Sequence, residues 1–469
     1  MRFSALQTVL LLLPLAAPAS ASSQRRQQQS NDTTGGGRYL ADIQSAISAA
    51  TQDIWSISQE IHANPELGYQ EVRAHKLLTD YLAGRDGWRV TRAAYGVATA
   101  FVAEFGSGAG GTGTGTGPVV SFNAEYDALS GLGHACGHNL IAASSLAAAL
   151  ATADVVRAHR LPGRVVLLGT PAEEGGGGKI KLLEAGAYRD LAVDVSIMAH
   201  PVGGGDAGDG AYSILQASDR FTIEFGGKPA HSAAAPWQGV SAQDAASLAW
   251  TAVGLARAQM RPTDRVHGRF ATDAGAVNIV PDRATALWQA RAASASELAD
   301  VVAKLENAVK AGALGTGASF NMTKNWGGYS AMINNDPLAA AYKRNFEALG
   351  GKTPDAGVEK SRSASASSDQ GNVSEELPAI HPVFGIFDED GSPTASAPHT
   401  AAFKGAAGTR KSFDKAMKAA AAMAGVAVDV LTVDGLLAQV KEDFKKQTGG
   451  SSGVQQLKQL RRRYVETQP

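Results

Sequence analysis

Residues 118–170 read PVVSFNAEYDALSGLGHACGHNLIAASSLAAALATADVVRAHRLPGRVVLLGT, and this stretch decides the fold. The apolar run 118–124 predicts a buried strand, the alanine-rich run 140–159 predicts a helix, and 164–170 predicts a second strand. Residues 179–185 and 193–199 continue the pattern with another helix and a third strand, and residues 382–387 resume it later in the chain with a further strand. Because strands that alternate with helices form parallel βαβ units, we expect a layered α/β domain with a mixed, mostly parallel sheet.

A second pattern begins after Gly210. Alternating apolar residues and amphipathic stretches predict the order β-α-β-β-α-β, and Ser294 with Glu297 forms a capping box at the start of the second helix. This order is typical of a ferredoxin-like α+β domain. We therefore expect one domain in two parts, 39–215 and 329–435, with an inserted domain at 216–328 and a C-terminal helical tail at 436–469.

The N-terminus has the features of a secretory signal peptide. A charged start is followed by an apolar stretch and by the small residues Ala19-Ser20-Ala21, which predicts a signal peptide at 1–21. Residues 22–38 are polar and of low complexity, and we expect them to be disordered. The mature chain should be secreted or lie in the lumen of the secretory pathway, without a membrane anchor after cleavage.

Composition excludes several classes of protein. The 469 residues contain 43 Lys+Arg and 44 Asp+Glu, so the net charge of −1 argues against a nucleic-acid partner. A single cysteine, Cys136, excludes an intramolecular disulfide.

Residues of metal-ligand type occur in four stretches, each just past the end of a predicted strand or in the loop after it. Cys, His and carboxylate side chains are the ligands that zinc and related divalent metals take, and open α/β sheets bind ligands at the carboxyl ends of their strands. Two adjacent glutamates can give one carboxylate to a metal and one to a water molecule, which is what a metal-dependent hydrolase needs. The four stretches are 133–139, 170–174, 200–201 and 398–400.

The same residues allow other interpretations. A lone Cys-x-His is often an inert buried pair, and the glycines before Lys179 suggest a phosphate loop. That loop is rejected because Glu173 replaces its first glycine and Ile180 replaces its Ser/Thr. The sequence contains no His-Glu-x-x-His motif, which excludes a metalloprotease of the zincin type. A hydrolase with Cys136 as nucleophile and a non-catalytic binding protein remain as alternatives.

The combined motifs resemble the metal-dependent aminoacylase, carboxypeptidase and dipeptidase family of co-catalytic metallopeptidases. The resemblance covers residues 40–445 and is strongest to the amidohydrolase branch, which includes p-aminobenzoyl-glutamate, auxin-conjugate and hippurate hydrolases and Xaa-Arg dipeptidases. The motifs are HANPELG at 62–68, EYDAL at 125–129, HACGHN at 134–139, PAEEGG at 171–176, AHP at 199–201, GKPAHS at 227–232 and DQGNVS at 369–374.

The resemblance implies a centre of two divalent metal ions, Zn²⁺ or Mn²⁺. Its ligands would be Cys136 as the bridge, His138, Glu174, His200 and His399. Glu173 would be the general base and then the general acid, and Asp127 would support a metal ligand.

The resemblance also implies a homodimer, in which His231 and Asn278 of the inserted lid domain act on the substrate, His231 in the partner subunit's site. The reaction would be hydrolysis of the amide bond of a small N-acyl amino acid or dipeptide. The alternative is a biosynthetic amidohydrolase, or an enzyme that forms or transfers an amide, acting on an amino-acid conjugate of a secondary metabolite.

Overall fold

A computed structural model describes residues 36–106, 117–271, 275–325, 328–363 and 366–449. The predicted signal peptide, most of the segment predicted to be disordered and the end of the C-terminal tail lie outside these ranges. The first helix begins at Gly36, so the last three residues of the segment 22–38 are helical rather than disordered.

The outer parts of the chain form one α/β domain. Its strands are β1 Arg89–Arg92, β2 Phe101–Gly106, β3 Val119–Ala124, β4 Arg164–Gly169, β5 Val195–Ile197, β6 His200–Val202, β11 Ala379–Ile380 and β12 Val383–Gly385. Its helices are α1 Gly36–Ala63, α2 Val72–Ala83, α3 His138–His159, α4 Gly178–Glu184, α5 Ala187–Asp190, α8 Asp336–Ala348, α9 Ala356–Lys360, α10 Gln370–Glu376, α11 Ala401–Ala407, α12 Arg410–Thr432 and α13 Leu436–Thr448.

Six of these strands form a mixed sheet in the order β1-β2-β4-β3-β5-β11. The pairs β4-β3, β3-β5 and β5-β11 are parallel, and β1-β2 and β2-β4 are antiparallel. The carboxyl ends of the parallel strands therefore meet at one edge, as the sequence predicted.

The alanine-rich helix α3 lies in the core of this domain. It packs against α1 and α12, and small side chains allow this close approach. Its length and apolar composition would suit a membrane span, but 94% of its most apolar window is buried inside the protein, as in the core helix of a globular domain.

The inserted domain has the predicted β-α-β-β-α-β order. Its elements are β7 Ala217–Gly226, α6 Ala242–Ala256, β8 Arg265–Phe270, β9 Arg283–Ala292, α7 Ala295–Thr316 and β10 Ser319–Lys324. The antiparallel sheet has the order β10-β7-β9-β8, so β8 and β10 are its edges. Ser294 caps α7 by accepting a hydrogen bond from the Glu297 N–H, as predicted.

Two predicted strands differ in the structure. The predicted strand 193–199 ends at Ile197, and β6 begins at His200 in a separate two-stranded sheet with β12. The apolar run 382–387 forms only the short strand β12. The break at 198–199 places His200 beside the carboxyl ends of the main sheet.

Candidate metal centre

The five ligands predicted from the resemblance lie together at the carboxyl edge of the sheet. The ligand atoms of Cys136, His138 and His200 lie within 4.8 Å of one another, and those of Cys136, Glu174 and His399 form a second group of the same size. Cys136 belongs to both groups, which is the placement expected of a bridging ligand.

Unusual backbone conformations create this convergence. Gly137 has a φ of 78°, and a side chain there would lie 2.6 Å from Pro201 Cγ, so glycine is required where the loop enters α3. Ala172 and His399 also have positive φ, 59° and 70°, which costs about 1 kcal/mol or more for each non-glycine residue. Strain of this kind is retained where the surrounding structure positions functional groups.

His138 and His200 each have one ring nitrogen fixed by a neighbour. His138 Nδ1 donates to Asp127 Oδ1 at 3.1 Å, and His200 Nδ1 donates to the carbonyl of Pro201 at 2.7 Å. Each Nε2 therefore presents a lone pair to the centre, as in the metal sites of other proteins. Asp127 also accepts a hydrogen bond from the Glu174 N–H at 2.9 Å, so it supports two predicted ligands.

The donor atoms fit a divalent cation. His138 Nε2 and Glu174 Oε1 are buried without a hydrogen-bond partner in the described chain, although buried polar atoms are nearly always satisfied. They lie 3.9 Å apart, with Cys136 Sγ only 3.5 Å from His200 Nε2. Thiolate, imidazole and carboxylate groups directed at one point are ligands suited to zinc and related metals.

The adjacent glutamates have opposite protonation behaviour. Burial, together with the charges of Glu125 and Glu174, raises the pKa of Glu173 well above its usual range. Burial also opposes ionisation of Glu174, but His399, whose Nε2 lies 3.4 Å from Oε1, holds the pKa of Glu174 below its usual range. Glu174 is thus the more readily ionised member of the pair, and Glu173 is the member that binds a proton more strongly, as a group that accepts a proton from water must.

Several residues near the centre were not singled out as functional from the sequence. Buried Glu71 accepts a hydrogen bond from Ala172 N at 2.8 Å, and the hydroxyl of Tyr329 donates to the carbonyl of Glu173. Arg291, from β9, is half-buried beside Ser367, and burial followed by the charge of Arg220 lowers its pKa while Glu173 raises it. Only spatial proximity links these residues to the centre, so local motifs could not reveal them.

His231 and Asn278 lie in the inserted domain, where their loops pair. Ser232 N donates to the Asn278 carbonyl at 2.9 Å, and His231 forms a bridge with Ile279. His231 Nδ1 accepts hydrogen bonds from two backbone N–H groups of its own loop, at 3.2 and 3.1 Å. Since these groups can only donate, the neutral ring carries its proton on Nε2.

The sequence of the chain is similar to those of known hydrolases. The chain is 38% identical over 409 residues to an Xaa-Arg dipeptidase of Mus musculus, covering 85% of this chain and 90% of the relative. It is 30% identical over 297 residues to one of the subunits of the p-aminobenzoyl-glutamate hydrolase of Escherichia coli, covering 58% of each chain.

Solved structures share the fold. A Bacillus subtilis protein described as a dinuclear metal-binding peptidase of the M20 family superposes with a TM-score of 0.58 at 21% identity, over 82% of this chain and 99% of that chain. The family model for peptidase family M20/M25/M40 matches residues 119–425, which include all five predicted ligands. The chain therefore belongs to peptidase family M20/M25/M40 and is a metal-dependent hydrolase.

Proposed function

We propose that the protein cleaves the amide bond of a dipeptide or an N-acyl amino acid, with Glu173 as general base. Two divalent metal ions would be held by the five ligands Cys136, His138, Glu174, His200 and His399. The observation that carries the proposal is geometric: the five ligands form two groups that share Cys136, and Glu173 Oε2 lies beside them, 3.8 Å from His138 Nε2. The names of the relatives, hydrolases and dipeptidases, favour hydrolysis over amide formation or transfer.

The residues of the chain divide the chemistry among them. When bound, the metal ions supply a water molecule of lowered pKa and polarise the carbonyl group. Glu173 takes the proton of the attacking water and then gives it to the nitrogen of the leaving amine. Tyr329 supports this exchange by binding the carbonyl of Glu173 and so restraining the base.

The inserted domain supplies groups for the substrate. Arg291 places positive charge near Glu173, and the Arg220 guanidinium lies beside Gly175; both suit the free carboxylate of a dipeptide or N-acyl amino acid. His231 has its Nε2 proton available to donate to the oxyanion that forms during attack. Asn278, whose loop pairs with that of His231, would contact the same substrate.

We propose that His231 acts in the partner subunit of a homodimer. The edge strand β8 and helix α6 of the inserted domain expose apolar side chains, including Leu248, Leu255 and Phe270, and the ring of Trp250 lies 4.9 Å from that of Phe270. An unpaired edge with apolar neighbours suits twofold pairing with a second copy.

Secretion also belongs to this proposal. Residues 1–21 would be removed as a signal peptide, and the mature chain would carry no membrane anchor. Sequencing the N-terminus of protein released by a eukaryotic host tests this, because a mature chain that begins at Met1 would contradict it.

The first test of function uses matched variants. Protein loaded with Zn²⁺ or Mn²⁺ is incubated with a panel of dipeptides and N-acyl amino acids, and the released amine is measured by mass spectrometry. We expect Glu173→Gln to lower kcat by about 10²- to 10⁴-fold with its metal content retained, and the exposed Glu389→Gln to behave as wild type. Turnover by Glu173→Gln at the wild-type rate would refute the assignment.

The second test is complementation. Inactive Glu173→Gln chains are mixed with inactive His231→Ala chains under conditions of subunit exchange. If His231 acts in the partner, one site of each mixed dimer is intact, and about a quarter of the wild-type activity returns at equal concentrations. Exchange verified by native mass spectrometry without recovered activity would exclude a role in the partner's site.

A further inference from the structure

A third ligand-type atom beside the centre has no assigned role. Glu125 follows β3 directly and is fully buried, and its Oε2 has no hydrogen-bond partner in the described chain. It lies 3.4 Å from His138 Nε2, and the ligand atoms of Glu125, His138 and Glu173 lie within 4.8 Å of one another. Glu125 Oε2 therefore resembles His138 Nε2 and Glu174 Oε1, the two unpartnered atoms that belong to predicted ligands.

The other oxygen of Glu125 is held by a buried lysine. Lys179 Nζ binds Glu125 Oε1 and, at 2.6 Å, Asp369 Oδ1. Asp369 Oδ2 accepts the Lys179 N–H at 2.9 Å, so the three side chains form a network without solvent exposure. The charges of Asp369 and Glu125 outweigh burial and raise the pKa of Lys179, which keeps it cationic.

This network constrains only one side of the carboxylate. An ion pair buried for stability alone would be expected to satisfy both oxygens, because an unsatisfied buried acceptor is costly. Here Lys179 fixes Oε1 and leaves Oε2 directed at His138 and Glu173, on the side where the metal ligands converge. An ion at that point would satisfy Oε2 together with His138 Nε2.

We propose that Glu125 is a further ligand of the metal centre, acting through Oε2, and that Lys179 and Asp369 are positioning residues that hold it. The inference rests on the proposed metal centre and extends it with a sixth protein ligand. It also explains why a lysine is buried beside the centre. Lys179 compensates the charge at Glu125 Oε1, and Glu125 Oε2 remains available to bind a metal ion.

The test measures metal binding directly. Glu125→Gln, Glu125→Asp and wild-type protein are loaded with Co²⁺ and Zn²⁺, and stoichiometry, affinity in chelator competition and the visible Co²⁺ spectrum are recorded. We expect both variants to lose affinity for one of the two ions by at least about tenfold, with a changed Co²⁺ spectrum. Glu125→Asp keeps the charge beside Lys179 and serves where Glu125→Gln fails to fold.

Glu359→Gln is the matched control. Glu359 is also fully buried with one oxygen bonded, to Ala211 N at 2.8 Å, and the other without a partner in the described chain, but it belongs to none of the ligand groups found there. It should keep both ions and the wild-type spectrum.

Lys179→Met should lower the affinity for the same ion. The double variant Lys179→Met, Glu125→Gln should bind that ion no more weakly than the Glu125→Gln variant alone. If wild type binds two ions and both Glu125 variants bind them with unchanged affinity and spectrum, the inference is overturned while the centre stands. If wild type binds no metal, the proposed centre fails instead.

Discussion

Glu71, the buried carboxylate that holds the loop before the proposed base, should make stability depend on pH. Its Oε1 accepts the Ala172 N–H at 2.8 Å, and its Oε2 accepts the Thr99 hydroxyl at 2.7 Å. Glu71→Gln keeps the size of the side chain and both contacts, since the amide oxygen can accept from Ala172 and the amide nitrogen can donate to Thr99. The substitution removes only the ability to ionise.

The magnitude follows from the pKa of Glu71. Burial raises this pKa from 4.5 to about 7, although the hydrogen bond from Thr99 opposes the shift. Below pH 4.5 both folded and unfolded chains are protonated, and between 4.5 and about 7 only the unfolded chain loses the proton, so stability falls as pH rises. Above about pH 7 the full cost remains, about 3.5 kcal/mol for the rise from 4.5 to about 7 at about 1.4 kcal/mol per pKa unit.

Urea unfolding of metal-free wild type and Glu71→Gln at pH 5 and pH 8, followed by circular dichroism, measures this effect. We expect the variant to gain about 2–3 kcal/mol relative to wild type between these values, because it lacks the proton that the folded wild type must release. The exposed Glu389→Gln should show no such change. A difference between Glu71→Gln and wild type that is the same at both pH values would refute the reasoning.

Three further predictions concern other parts of the molecule. Cys136→Ser should bind less metal by elemental analysis, because a hydroxyl does not ionise near neutral pH; full occupancy would contradict the bridging role. Tyr329→Phe should lower kcat by roughly tenfold with little change in KM, since it removes one hydrogen bond to the backbone of Glu173; an unchanged kcat in steady-state assays would argue against this positioning role. Asn321 and Asn372 each begin an N-x-Ser/Thr sequon for N-glycosylation. In protein secreted by a eukaryotic host, peptide mapping should find glycan on Asn321, which is exposed on the edge strand β10; glycan on Asn372, which is buried and bonded to Ser330 N and Gly328 O, would contradict the described packing.

The sequence predicts the parts of the fold and site that depend on local patterns. Alternating strands and helices predict the parallel sheet, and residues that follow the strands, such as Cys136 and Glu174, converge because parallel strands end at one edge. The limits of the strands are harder to predict from the sequence, because they depend on the strand with which each one pairs. Strand β5 ends where its partner β11 ends, and His200 pairs with β12 instead.

Local sequence patterns do not predict polar networks between residues that are distant in the chain. Lys179 lies 54 residues from Glu125 and 190 residues from Asp369 in the chain, yet the three side chains form one buried cluster. Read locally, the glycines before Lys179 suggested a phosphate loop. Only the packing of α4 against α10 brings the lysine between two acids and shows that its charge serves the carboxylates beside the metal centre.

The hydrogen-bond partners of the histidines determine which ring nitrogen carries the proton, a property that the residue type alone does not give. His138 and His200 each donate a proton from Nδ1, to Asp127 and to the carbonyl of Pro201, so that Nε2 is left with a lone pair that can bind a metal ion. His231 accepts at Nδ1 from backbone N–H groups, so that Nε2 must carry the proton and can donate it to an oxyanion. The same side chain can therefore serve as a metal ligand or as a proton donor, according to whether the group beside its Nδ1 accepts or donates a hydrogen bond.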